Sequence, residues 1–288
     1  MASVKGGFHV AIDVDQPEGS YYPGDEVSGK ILIESEVGLD TREVIAGLVY
    51  VQQHQVKARS SQNPVVRWET EERWVDKEVL NVDRIPAGYK QTYPFSWRIP
   101  PDALPPCSGQ IVRNHWAILV KVDRPRARDV VSEAEIPVIV PPHGPMEGGH
   151  FSSQEGPVAA YMSFNLPRLA FAEREILSGE LMVGVHKSNL EVRGVRVELI
   201  RRERVTLEDG KTRTVTEQKT QLAASTTFEV DKPQTFEFKL PVATRGCPSL
   251  VATNTEVSWH LRGVLDRASS KDIMIQQEIY LFNGLTRS

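Results

Sequence analysis

Apolar residues recur at every second position in short runs along this chain, and the runs are separated by breaks rich in Gly and Pro. Phe8, Val10, Ile12 and Val14 form one run; Val27, Gly29, Ile31 and Ile33 the next; Tyr93, Phe95, Trp97 and Ile99 a third. Period two with aromatic and β-branched residues is the mark of a half-buried strand. The first half reads as seven strands: Phe8–Val14, Val27–Glu34, Val44–Val56, Val66–Val82, Tyr93–Ile99, Ile111–Val122 and Val130–Val140. Val44, Leu48 and Tyr50 are expected on the core face. Tyr21–Asp25 reads as a turn, with Pro23 suited to a φ near −65° and Gly24 after it. Ser60–Pro64 reads as a loop, and Pro100-Pro101, which cannot donate to a ladder, ends the aromatic run. Pro141–Gly156 has no period and is rich in Pro, Gly and Ser, so it reads as a linker. Seven more strands follow: Val158–Asn165, Ile176–His186, Val192–Leu207, Thr212–Phe228, Thr235–Leu240, Thr255–Asp266 and Ile273–Phe282. Asp209-Gly210 is a tight-hairpin signal. No window carries a helical period. The pattern predicts an all-β chain of two tandem seven-stranded β-sandwiches, over residues 1–143 and 157–288, joined by a linker at 144–156.

The two halves resemble each other. Val27-Ser28-Gly29-Lys30-Ile31 is similar to Leu177-Ser178-Gly179-Glu180-Leu181, and the Phe95–Pro100 run is similar to Phe236–Pro241. Trp116 matches Trp259, Asp123-Arg124 matches Asp266-Arg267, and Cys107-Ser108 falls near Cys247-Pro248-Ser249. Four matches in one order imply a duplicated sandwich. Features kept in both copies are expected to be architecture; partner-specific chemistry is expected where the copies differ.

Composition narrows the function classes. The chain has 288 residues, 40% hydrophobic and 25% charged, with a formal net charge of −4. That is a soluble globular balance, and it disfavours electrostatic binding of nucleic acid. Apolar runs are strand-sized, and MASVKGGFHV has no apolar signal core. Two cysteines make no disulfide framework, so a reducing, cytoplasmic setting is expected.

The motifs resemble the arrestin-like fold family, the broad group of α-arrestins, retromer small subunits and bacterial sporulation-control proteins. The likeness rests on Tyr22, Gly24, Asp25, Val27, Gly29 and Ile31; on Gly88, Phe95, Trp97, Pro100, Pro105 and Ser108; on Asp123-Arg124-Pro125; and on Ser178-Gly179 with Phe236–Pro241. The resemblance implies immunoglobulin-like sandwiches and a non-enzymatic scaffold or adaptor. Such a protein binds other proteins through sheet edges and the groove between the halves, in protein transport and near membranes. The Pro-Pro pairs at 100, 105 and 141 are not followed by the Tyr of a Pro-Pro-x-Tyr motif.

Little in the chain advertises chemistry. His143, Glu147 and His150 could be metal ligands, but a Gly-rich linker does not preorganise them. Asp13 and Asp15 share a strand face and read as a solvated end. No nucleophile elbow or phosphate loop is present, so no cofactor or catalytic residue is expected. Two stretches remain as partner-binding candidates. One is Trp68 and Trp74, six apart on one strand face. The other is the Arg-rich hairpin with Arg196, Arg201, Arg202 and Arg204 and, across it, Lys211 and Arg213. Arg pairs well with phosphate, which gives a second reading as a peripheral membrane protein binding anionic lipid headgroups. Interleaved Glu198, Glu203, Glu208 and Asp209 favour a solvated, cross-paired face.

Overall fold

Each alternating run buries the face that its period marks. In the computed structural model, strand β2 (Phe8–Val14) buries Phe8, Val10, Ile12 and Val14, and β3 (Glu26–Ser35) buries Val27, Gly29, Ile31 and Ile33. The structure describes residues 2–5, 7–17, 19–58, 65–81, 84–142, 147–154, 160–207, 210–268 and 270–285. Among them every regular element is a strand. The loop expected at Ser60–Pro64, His143 of the linker triad, and Glu208 and Asp209 of the hairpin lie outside the described residues.

The chain divides into two units. The first comprises Met1–Cys107 and Arg113–Val140. One of its sheets has the order β1 (Ala2–Lys5), β2, β3, β6 (Tyr89–Arg98). The other runs β5 (Val65–Asn81), β4 (Glu43–Ala58), β8 (Val112–Asp123), β7 (Cys107–Ser108), with β9 (Val130–Ile136) pairing β8. Their facing sides share one core that includes Ile31, Leu48, Tyr50, Trp97, Trp116 and Ile118. β9 stops at Ile136, short of the expected Val140, because Pro137 has no N–H for the ladder.

The second unit comprises Ser108–Val112 and Pro141–Ser288. Its four-stranded sheet has the order β10 (Gly149–Gln154), β11 (Ala160–Leu166), β13 (Ile176–Val185), β18 (Gln234–Pro241). Its larger sheet runs β12 (Ala170–Ala172), β21 (Ile273–Phe282), β20 (Thr255–Asp266), β15 (Gly194–Val205), β16 (Thr212–Ala223), with β19 (Leu250–Val251) on β20. β14 (Leu190–Val192) pairs β17 (Thr226–Phe228). The expected linker at 144–156 therefore contains a strand. β10 pairs with β11 from Gly149↔Leu166 to Gln154↔Tyr161, and a ladder on one edge needs backbone groups rather than an apolar period.

The duplication is written in hydrogen bonds. Trp116 Nε1 donates to the Leu104 carbonyl at 2.8 Å, and Trp259 Nε1 donates to the Cys247 carbonyl at 2.8 Å. The Arg42 N–H donates to the Asp123 carbonyl, and that of Arg193 to Asp266. Asp129 accepts from the Arg124 N–H, and Asp272 from that of Arg267. Asp25 caps the Tyr22 N–H at 3.0 Å, as Glu175 caps Ala172 at 2.7 Å. In that turn Gly24 has φ +91°, and Arg174 takes the same left-handed position at +71°.

These bonds correct two sequence alignments. Phe95 lies opposite Gly29 and Phe238 opposite Gly179, so Phe95 matches Phe238, not Phe236. A shift of two residues keeps every side chain on its face, which is why the alternation alone misplaced it. Leu104 matches Cys247 by its bond to Trp, so Cys107 matches Leu250; β7 and β19 are then equivalent short strands on β8 and β20. The Phe rings lie so close to the glycines that a Cβ at Gly29 would be 2.7 Å from Phe95 Cζ, and one at Gly179 2.9 Å from Phe238 Cζ.

Two sheet-end strands carry bulges. β5 has an extra residue where Leu48↔Asp76 gives way to Val49↔Trp74, and another where Val44↔Asn81 gives way to Ile45↔Val79. On β16 the extra residues are Glu217 and Leu222.

Candidate functional site

Alternation along β15, flanked by β16 and β20, sorts the Arg-rich hairpin into two environments. One face carries Arg196, Glu198, Arg202 and Arg204. Arg196 donates from Nε to Glu198 Oε1 at 2.7 Å and reaches Asp266 at 3.3 Å and Asp272 at 3.2 Å. Glu198 Oε2 also accepts from Arg262 at 2.6 and 3.0 Å, and Arg193 Nε donates to Asp266 at 2.8 Å. Burial by itself would raise the Glu198 carboxyl, but the bonds from Arg196 and Arg262 outweigh it and hold the group below the usual range. Burial opposes the Arg196 charge in the same way; Glu198 and Asp272 overcome it and raise its pKa. Three arginines and three carboxylates balance.

The other face of β15 is the core side, and Arg201 and Glu203 sit on it, 5% and 0% exposed. Arg201 Nη2 is 3.1 Å from Glu203 Oε1 and 3.1 Å from Glu217 Oε1. The contact with Glu203 Oε1 is electrostatic and lacks hydrogen-bond geometry. Glu217 is the bulged residue of β16. A bulge re-aims a side chain, and here the carboxylate meets Arg201. Glu203 Oε2 accepts the N–H groups of Ile111 at 2.8 Å and Val112 at 3.3 Å.

Two of the four hairpin arginines are thus held by carboxylates. Arg202 is half-buried, Arg204 is exposed at 3.9 Å from Glu256, and Lys211 and Arg213 lie on or beside β16, half-buried and exposed. Arg202 matters to His260, which is 9% exposed and whose Nε2 is 3.1 Å from Ser258 Oγ. Burial, then the Arg202 charge, pushes the imidazole pKa down to about 4. Its cross-strand neighbour Glu278 is exposed. The depressed pKa means that the unfolded chain binds the proton more readily. His260 stability is therefore complete above about pH 6.5 and is lost as pH falls through about 4, with a loss of about 2 kcal/mol after allowance for partial screening. Urea unfolding between pH 7 and pH 4, with H260Q as the flatter reference, checks this.

Trp68 and Trp74 do share a face of β5, opposite Gln55 and Val49. Trp74 is half-buried and packs on Val49, Val51 and Leu119, a small cluster apart from the main core. Val49 and Val51 alternate with Leu48 and Tyr50, so this is the sheet's outer face. The Arg113 guanidinium stacks 4.4 Å from the Trp68 ring centroid.

In the sequence Asp123-Arg124 reads as part of the repeat and of the family resemblance, not as a site. The β8–β9 connection and the start of β4 line an open pocket of about 730 Å³, with five cationic and three acidic side chains. Arg42 pairs with Asp123 at 3.4 Å, and Lys121 with Asp129 at 3.7 Å. Arg124, Arg126 and Arg128 have no carboxylate partner among the described residues. The signal was readable by comparing copies: Arg-Pro-Arg-Ala-Arg-Asp at 124–129 stands against Arg-Ala-Ser-Ser-Lys-Asp at 267–272.

Paired sandwich sheets, the capped turn, the Trp-to-carbonyl bond and their repetition define a protein of arrestin-like fold. Residues 10–143 match the family described as arrestin (or S-antigen), N-terminal domain; the match covers the first sandwich, supports the arrestin-like fold and points to an adaptor-type role. No curated protein matches the chain.

Proposed function

We propose that this protein is a non-enzymatic, cytoplasmic scaffold that binds protein partners by pairing their strands with its sheet edges. The observation that carries this reading is the arrestin N-terminal domain match over residues 10–143. Supporting it, β5 ends a sheet. A free ladder edge offers N–H and C=O groups to an added strand, and neighbouring side chains select the partner. The run of β5 from Val66 to Trp74 is unbroken and carries both Trp68 and Trp74, rigid aromatics of the kind that anchor interfaces. Crosslinked co-purification from the native host with mass spectrometry tests the reading. Reproducible partners that W68A reduces are expected; recovery of none in repeated experiments counts against a scaffold. The lipid reading is left with Arg202, Arg204, Lys211 and Arg213, since Arg196 and Arg201 are held in ion pairs. Flotation with anionic liposomes that R202E/R204E abolishes would favour it.

A further inference from the structure

Both units build the same corner. An arginine that precedes or opens a strand (Arg42, Arg193) donates its N–H to the carbonyl of an aspartate (Asp123, Asp266) and pairs with that carboxylate. A second aspartate caps the following turn. In the second unit Arg193 and Arg196 are matched by Glu198, Asp266 and Asp272, with Arg267 and Lys271 standing beside them. In the first unit the two aspartates are already engaged by Arg42 and Lys121, and three more guanidiniums stand around the pocket with no carboxylate partner among the described residues. Arg124 and Arg128 stand against Arg267 and Lys271 in the second copy, so the cation peculiar to the first corner is Arg126, where the second copy has Ser269. Arg126 even holds a left-handed φ of +61°, a conformation that costs a side-chain residue about 1 kcal/mol. A cationic excess on a chain of net charge −4 is a local feature that suits an anionic ligand.

We propose that this groove docks an acidic polypeptide segment of a partner; the proposal rests on the scaffold reading and names the chemistry of one partner. Three features favour a peptide over a phosphorylated small molecule or headgroup. The pocket, at about 730 Å³, is far larger than one phosphate group. Its lining mixes unpaired donors with an acceptor, Glu43; a peptide brings carboxylates for the arginines and backbone N–H groups for Glu43, whereas a polyphosphate brings acceptors only. Ile45 and Ala127 add apolar wall for side-chain stems. In an extended segment, carboxylates two residues apart lie on one face about 7 Å from each other, so alternate Asp or Glu residues meet successive guanidiniums as charge-assisted pairs.

The test uses the full chain and a fluorescein-labelled hexaglutamate peptide, read by anisotropy at low salt and at 0.5 M NaCl, where exposed pairs are screened. Binding that salt weakens is expected, with about a tenfold loss for each of R126N and R128A. Asn tolerates the left-handed φ, so R126N keeps the turn, and circular dichroism checks the fold of both. K271A, at the matching position of the second unit's corner, leaves the affinity unchanged. The proposal is overturned if hexaglutamate fails to bind, if R126N/R128A binds it as the parent does, or if inositol phosphate or phosphoinositide vesicles bind at this loop and hexaglutamate does not. Partners that still co-purify with R126N/R128A at full yield would remove this site and leave the scaffold reading standing; recovery of no partner at all, with hexaglutamate still bound, would do the reverse.

Discussion

Arg201→Met will destabilise the second unit by about 4 kcal/mol, because it removes the one cation from a buried set that holds two carboxylates. Glu203 is wholly buried, and in the variant its charge faces Glu217 with only the Ile111 and Val112 N–H groups for compensation. The guanidinium stem is replaced by a chain of similar size, so cavity formation contributes little. R201M/E203Q restores part of the loss, since a neutral amide costs less to bury than an unpaired charge. Urea unfolding followed by fluorescence and by far-ultraviolet circular dichroism measures both. A change below about 1 kcal/mol for R201M would show that water reaches the set and screens it.

Trp259→Ala is the second large expectation, at about 5 kcal/mol. The ring is fully buried, and deleting a core Trp costs roughly 3–5 kcal/mol. The hydrogen bond from the indole N–H to the Cys247 carbonyl is also lost, which adds about 1 kcal/mol. Trp259→Phe separates the two contributions: it keeps most of the volume and loses the N–H, and a cost of about 1–2 kcal/mol is expected. Trp116→Phe, which loses the bond to the Leu104 carbonyl in the same way, should cost a similar amount in the first unit. Trp259 lies opposite Arg201 on the neighbouring strand, so R201M and W259F will not add, and a double-mutant cycle reads their coupling.

Much of the fold was legible because half-buried strands write their period into the chain. Thr255–Asp266 and Ile273–Phe282 were bounded to the residue. Strands of two or three residues, such as β12, β14 and β19, have no period to read. β10 was missed because its pairing with β11 is backbone to backbone. Charges were harder still. Sequence places Arg196 on a strand but does not reveal that Asp272, 76 residues away, receives one of its bonds. Nor does it reveal that a bulge at Glu217 turns that side chain toward Arg201. Arg126 is hidden in a different way: it lies in a motif shared by both copies, and only alignment of the two tails shows that the second copy has Ser269 there.

The bulges at Glu217 and Leu222 on β16 also bear on how the molecule behaves in a crowded solution. A long flat edge invites the edge of another copy, and fibres grow from such contacts. On β16 the longest uninterrupted stretch before Glu217 is the five residues Thr212–Thr216, too short and too twisted to template a second chain well. β5 keeps its unbroken run up to Trp74. β16 is thus the poorer edge for any added strand, a second copy included, and β5 is the edge on which both self-association and the proposed strand docking would compete.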